Sequence, residues 1–512
     1  MAKIIDYSNA FHLTHEVRKR PSNMCELIVF SADELSGLLS RIRSTLQDVA
    51  ISHPQGLQWL SYSTQKQFRE SSGVQRYRAV VVAYGVNELK RQLEELLTLI
   101  ENDPMKPFSF SAAGLFYGVG QAKGKLAYLF AGQGAQYVNM GKELAELYPR
   151  ARSAWETLGE ARVEGKSLRE VAHPKVAEDK AEAEAQMDQL TCAKYVIPAN
   201  AVVVESIYSL LTSMGLKPDA VASHSWGDVA SYRAANVISP EQMIAFTRQR
   251  GYWGATCPTA STGRILMVFA KAEKVQALLK QGEHKNVWIA NYNAHSLLVL
   301  SGGLDELTAV KEAFSKHKVR SKFIPISGAP HCPMGQRVTN LFSAYLQDKT
   351  FSKSTCDVYS YLFGKKLNND PVLFRKVLSL NCLKSVRFTD QVEQMHDDGI
   401  TSFLEVGPSD GLVLFVEKIL SGKAFQAMST DKQKGDSNLH FLTAVAEMIR
   451  QGRIHNTQVL WESYQVPMKP VSQGQNLPES SQVAHAEAKR LKVLELQLSK
   501  ISGQRASQSA YA

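Results

Sequence analysis

The segment AVASHSWGDVA, Ala220 to Ala230, sets a serine between an apolar strand pattern and a helical one. The run PDAVAS leads straight into Ser225, and a helix is expected from about Gly227. On such a strand–turn–helix bend a serine hydroxyl is exposed and backed by the positive end of the helix, as a nucleophile requires. The backbone crosses itself closely there, so the residues two before and two after must be small; Ser223 and Gly227 meet that need, giving S-x-S-x-G. A second turn, AGQGAQ, follows the apolar run LAYLF, and its Gly132 and Gly134 let a loop approach another backbone closely. It is not a phosphate loop, because GxxxxGK(S/T) is absent.

These turns need a scaffold, and the chain alternates in the manner of one. From Lys125 to about Gly422, short apolar runs (LAYLF, AVAS, ILMVFA, LLVLSG, FLEV) are separated by helical patterns, which predicts an α/β architecture with a largely parallel sheet. Ahead of it, LIVFSA and RYRAVVVAYG read as strands. Leu35, Leu38, Leu39 and Ile42, then Leu89, Leu93, Leu96 and Leu97, each mark one face of a helix, making a small α+β unit. A Pro/Ser/Gly-rich connector, Asp103 to Gly114, closes it. Beyond 422 come a helix and VLWESYQVPMKPV. In the last, polar stretch Ala484, Leu491, Leu494, Leu498 and Ile501 keep a 3/4 spacing. That stretch is expected to be a frayed surface helix in a disordered tail, with a docking helix as the alternative.

Composition excludes several classes. The 512 residues are 44% hydrophobic and 21% charged, an ordinary globular balance with room for two or three domains. No apolar run approaches the roughly 20 residues that cross a bilayer, and the opening MAKIIDYSNAFHLTHEVRKRP lacks a signal-peptide core. Cys25, Cys192, Cys257, Cys332, Cys356 and Cys382 are scattered, without CxxC spacing, so neither a metal site nor a disulfide framework is expected and a cytoplasmic setting is. The net charge of +10 suits an acidic protein partner as well as a merely soluble surface. No nucleic-acid signature accompanies it.

VASHSWGDVA resembles the GHSxGE signature of malonyl-CoA:carrier-protein transacylases and of polyketide-synthase acyltransferase domains. LAYLFAGQGAQYVNMGKEL is similar to that family's first strand and GQGxQ loop, SGAPHCPM to its catalytic-histidine segment, and FLEVGPSDGLV to its EVGPGxxL segment, in the same order. The resemblance implies a hydrolase-like large subdomain (125–263 and 334–422) and a small ferredoxin-like subdomain (264–333). Residues 26–124 resemble the linker between a ketosynthase and an acyltransferase, after an N-terminal tail (1–25). Residues 423–474 resemble the linker after the acyltransferase, and 475–512 form a tail or docking helix. No ketosynthase accompanies them, so the resemblance is to a free-standing, trans-acting enzyme.

The family's chemistry then maps onto this sequence. Ser225 is the expected nucleophile and His331 its base, oriented by a backbone carbonyl rather than an acid. Backbone N–H groups of Gln133 and Trp226 are the expected oxyanion donors, each worth about 3 kcal/mol. Arg250, twelve residues beyond Ile238, stands where the family carries its malonyl-binding arginine, whose guanidinium forks onto a carboxylate. Arg248 is expected on the other, solvated face. Gln133 and His224 are also expected beside the substrate, His224 packing and hydrogen-bonding locally. The implied substrate is acyl-CoA and the partner an acyl carrier protein with its phosphopantetheine. Further synthase proteins are expected through the linker or C-terminal helix, and neither a cofactor of the chain's own, a nucleic acid nor a membrane is. Ser223, Trp226, Asp228, Gly254, Ala255, Ile197, His295, Leu297 and the GAP before His331 depart from the usual pattern, leaving the acyl unit open. An acyl hydrolase clearing stalled carrier proteins and a non-catalytic docking module are the rival readings.

Overall fold

The computed structural model describes residues 17–53, 55–71, 73–326, 328–470 and 481–509. Most of the expected N-terminal tail and the stretches 471–480 and 510–512 lie outside the described residues.

Strand Ala220–Ser223 lies at the centre of a six-stranded sheet. On one side it pairs in parallel with Asp357–Ser360, which carries the short antiparallel edge Lys365–Lys366. On the other it pairs in parallel with Lys125–Phe130, which is followed by Ile400–Glu405 and Gln426–Ser429, also parallel. The parallel strands are covered on both faces, which is why they read as unbroken apolar runs. Helix Ala193–Ser213 packs between the sheet and helix Pro240–Thr256. It is long and apolar enough to cross a membrane, but 83% of its apolar window is buried inside the protein. The sequence reading passed over it because Asn200, Glu205 and Ser206 interrupt the run; all three are buried.

The smaller sheet runs Val287–Ala294, Leu297–Gly303, Gly263–Val268, Ser321–Phe323, antiparallel throughout. Helices Ala272–Gln281 and Leu304–Lys316 complete this unit around Leu266, Leu300, Val310 and Phe314. It touches the large unit where Val386 exchanges backbone hydrogen bonds with Ala290 and Tyr292.

The N-terminal sheet (Glu26–Ala32, Tyr77–Ala83, Leu115–Val119, Phe108–Phe110) is antiparallel. Alternation divides its two faces. Ile28, Phe30, Val81 and Leu115 pack under its own helices, whereas Leu27, Val29, Val80, Val82 and Phe116 join the main core together with helix Ser437–Arg450. Arg78, almost fully buried, donates to the carbonyls of Ile449 and Arg450 across this seam.

The C-terminal stretch is not a frayed helix over its described residues. Helix Ser481–Ser509 lies on the N-terminal unit, with Leu494 in that unit's core. Arg490 Nε pairs with Glu88 Oε1 at 2.5 Å and its Nη2 donates to Val82 O, while Glu487 accepts from the Glu88 N–H. The sparse 3/4 pattern hid this because the contact is carried largely by these charged residues.

Candidate active site

The elbow forms where the strand ends. Ser225 has φ +53°, in the left-handed region, and opens a single 3₁₀ turn, Ser225–Gly227, that runs into helix Asp228–Ala234. Such a conformation costs a non-glycine residue energy and persists because the surrounding packing enforces it. A Cβ at Gly227 would lie 2.1 Å from Phe130 O, so only glycine fits where the backbone crosses the first strand.

His331 reaches Ser225 from the end of the small unit. The Ser225 hydroxyl donates to His331 Nε2 at 2.6 Å, and His331 Nδ1–H donates to the Lys384 carbonyl at 3.0 Å. His331 also has positive φ, +62°, and its N–H is held by Cys382 O at 2.8 Å. Burial lowers its pKa to about 3, against the hydrogen bond to the Lys384 carbonyl, so the ring is neutral and free to accept a proton. The loop Asn381–Val386, which sequence reasoning missed, therefore fixes the histidine twice. It carries no side-chain signature, because the groups it offers here are carbonyls.

The GQG loop packs against the elbow: a Cβ on Gly132 would lie 2.9 Å from both His224 O and Trp226 N. Gln136 Oε1 accepts from Gly134 N, and Asn200 Nδ2 donates to Gly132 O, holding the loop. The N–H groups of Gln133 and Trp226 enter none of the backbone hydrogen bonds among the described residues, and the Gln133 side chain donates to Thr191 O at 3.0 Å. His224 Nε2–H donates to Asn293 Oδ1, 2.7 Å away, and the ring rests edge-on against Phe388; burial lowers its pKa to about 4. It supports the elbow from behind and does not line the cavity. His295 is exposed beside Glu393, outside the site.

Arg250 is not where the sequence suggested. It is fully buried, and its guanidinium grips Asp228: Nη2 to Oδ1 at 2.7 Å and Nη1 to Oδ2 at 3.2 Å, with Nη2 also on Trp226 O. The Nε–H has no protein acceptor, and Nη1 uses one of its two N–H groups. The same Asp228 carboxylate accepts from Val229 N and from Asn381 Nδ2, and Asn381 also donates to Ser225 O and Tyr361 OH. The pair thus sits next to the nucleophile in a network that occupies Asp228 and part of the guanidinium. Burial works against the charged guanidinium, and Asp228 more than offsets it, leaving the pKa raised. Arg248 donates to Arg162 O on the exposed side.

Beside Ser225 lies a small cavity of about 40 Å³ lined by Gln133, Trp226, Gly254, Cys257, Val338 and Cys382 among others. Nucleophile, neutral base, unengaged N–H donors and an apolar recess are together the equipment of acyl transfer through a serine ester.

Residues 127–457 match the acyl transferase domain family. The chain belongs to it. It is 28% identical over 375 residues to the mycoketide-CoA synthase of Mycobacterium tuberculosis, covering 72% of this chain and 8% of that protein. It therefore spans a small fraction of the curated relatives it matches. Among solved structures, malonyl CoA-acyl carrier protein transacylase from Clostridium perfringens superposes with a TM-score of 0.56 at 26% identity, over 63% of this chain and 98% of that one. The acyltransferase domain of the second module of the salinomycin polyketide synthase does so with a TM-score of 0.62 at 24% identity, over 85% and 94%. This acyltransferase thus shares its α/β core with the shorter transacylase and its fold, over a longer span, with the polyketide domain.

Proposed function

We propose that this acyltransferase moves an acyl group from a coenzyme A thioester onto Ser225 and then onto the phosphopantetheine thiol of an acyl carrier protein. The observation that carries the reading is the Ser225–His331 pair at 2.6 Å with a neutral ring oriented by Lys384 O. His331 Nε2 takes the serine proton as Oγ attacks the thioester carbonyl. The N–H groups of Gln133 and Trp226 receive the oxyanion, and His331 returns the proton to the departing coenzyme A thiolate. The carrier thiol repeats the sequence in reverse: its proton passes to His331, its sulfur takes the acyl group, and Ser225 recovers its proton. A malonyl-transacylase of this fold has been solved with a type II polyketide acyl-carrier protein, and the net charge of +10 suits an acidic partner.

The finer expectations join the proposal. Service in trans, from the cytoplasm, belongs to the same proposal. The linker reading of the N-terminal unit is supported by the longer span of the polyketide match, 85% of this chain against 63% for the transacylase. A malonyl unit would require Arg250 to take the substrate carboxylate alongside Asp228 or in its place. Hydrolysis of carrier-bound acyl groups is the second reading, favoured by the commitment of that guanidinium to Asp228.

Intact-mass measurement after incubation with acyl-CoA, then with a purified holo carrier protein, tests this. An adduct lost in Ser225→Ala and passed to the carrier is expected. Free acid without an adduct supports the hydrolase, and neither result supports a docking module.

A further inference from the structure

Of the departures from the usual motif, Trp226, Asp228 and Gly254 meet at one spot. Trp226 lines the cavity, whereas Arg250 does not. The guanidinium carbon lies 4.9 Å from the indole centroid and 5.2 Å from the Phe342 ring, with no surface exposed. The indole therefore stands between the cation and the cavity. Its tip reaches helix Pro240–Thr256 at Gly254, where a Cβ would lie 3.0 Å from Cη2. A bulky Trp226 and a bare Gly254 are thus a matched pair: any larger residue at 254 would displace the ring. Every residue lining the cavity is uncharged, and Cys382, in its wall, is held as a thiol, burial pushing its pKa up to about 12.

Resting on the acyl-transfer reading above, we infer that the cavity selects a short, neutral acyl group, with Trp226 and Gly254 setting its shape and Asp228 holding Arg250 as an internal pair. A carboxylate in this recess would lose its water and meet no cation. To reach Arg250 it would have to move the indole and share the guanidinium with Asp228, whose oxygens hold Val229 N and Asn381 as well. An acetyl or propionyl group does neither. Its carbonyl is served by the same oxyanion donors, and its alkyl end meets apolar walls.

The test is kcat/KM for labelling of Ser225 by acetyl-CoA and by malonyl-CoA, read by intact mass on the full chain. Wild type is expected to favour acetyl at least tenfold. Trp226→Leu combined with Asp228→Asn opens the path and frees the guanidinium, and should raise the malonyl-to-acetyl ratio at least tenfold. If the double variant does not fold, the wild-type ratio and Trp226→Leu alone decide the matter. A wild-type ratio favouring malonyl, or a ratio unmoved in the variants that fold, overturns the neutral pocket and leaves acyl transfer standing. Labelling of Ser225 by neither thioester overturns the acyl-transfer reading itself, and this inference with it.

Discussion

Replacing Arg250 with alanine should act on stability far more than on acyl choice. The guanidinium is fully buried and Asp228 is 6% exposed, with 2.7 Å between Nη2 and Oδ1. Removing one member of such a pair leaves the other charge desolvated, at a cost of about 3–5 kcal/mol. Stacking against Trp226 and Phe342 is lost as well, adding about 0.5–2 kcal/mol. A total near 5 kcal/mol corresponds to a fall in Tm of roughly 10–20 °C for a unit of this size. Arg250→Met with Asp228→Leu removes both charges and should recover part of that loss, the remainder being the Val229 and Asn381 donors that Asp228 no longer accepts from. The assay is thermal and urea unfolding of the three proteins, with acetyl and malonyl labelling measured below the transition. An Arg250→Ala protein within about 1 kcal/mol of wild type would show that Asp228 does not depend on the guanidinium. A selective loss of malonyl labelling would show that Arg250 reads a carboxylate after all.

Four other outcomes are expected. With its pKa lowered to about 3, His331 stays a competent base as pH falls, so the rate of Ser225 labelling should be level from pH 8 to about pH 5; a midpoint near the ordinary 6.5 would contradict its burial. The same depression makes the unfolded chain bind the extra proton below 6.5, so stability should fall with pH from 6.5 downward, by about 1.4 kcal/mol for each pH unit on account of this ring; urea midpoints at pH 8 and pH 5 measure it. Ending the chain after Pro470 removes Leu494 from the N-terminal core and Arg490 from Glu88, and should cost about 2–4 kcal/mol with faster proteolysis within Glu26–Val119; unchanged cleavage would mean the helix does not dock. Transfer to an acidic carrier protein should weaken with salt more than self-acylation does, since exposed attraction is screened within about 8 Å at physiological ionic strength; equal salt sensitivity of the two steps would exclude charge-steered docking.

The sequence by itself determined what depends on local pattern. Two-sided burial made the parallel strands continuous apolar runs, so the α/β layout was legible before any contact was known. The small residues around Ser225 announced the elbow, because the crossing with Phe130 tolerates no Cβ at Gly227. Asp228, Trp226 and Gly254 were visible as departures, yet one at a time they carried no meaning. Only the tertiary structure decided what they do, because each acts on a residue distant in the chain. Asp228 holds Arg250, Gly254 makes room for the Trp226 ring, and Asn381 and the Lys384 carbonyl fix Ser225 and His331. A carbonyl has no side-chain identity to read, and an arginine looks the same in a sequence whether its fork is free for substrate or already filled. The difference lies in which carboxylate is within 3 Å once the chain has folded, and here it is the protein's own.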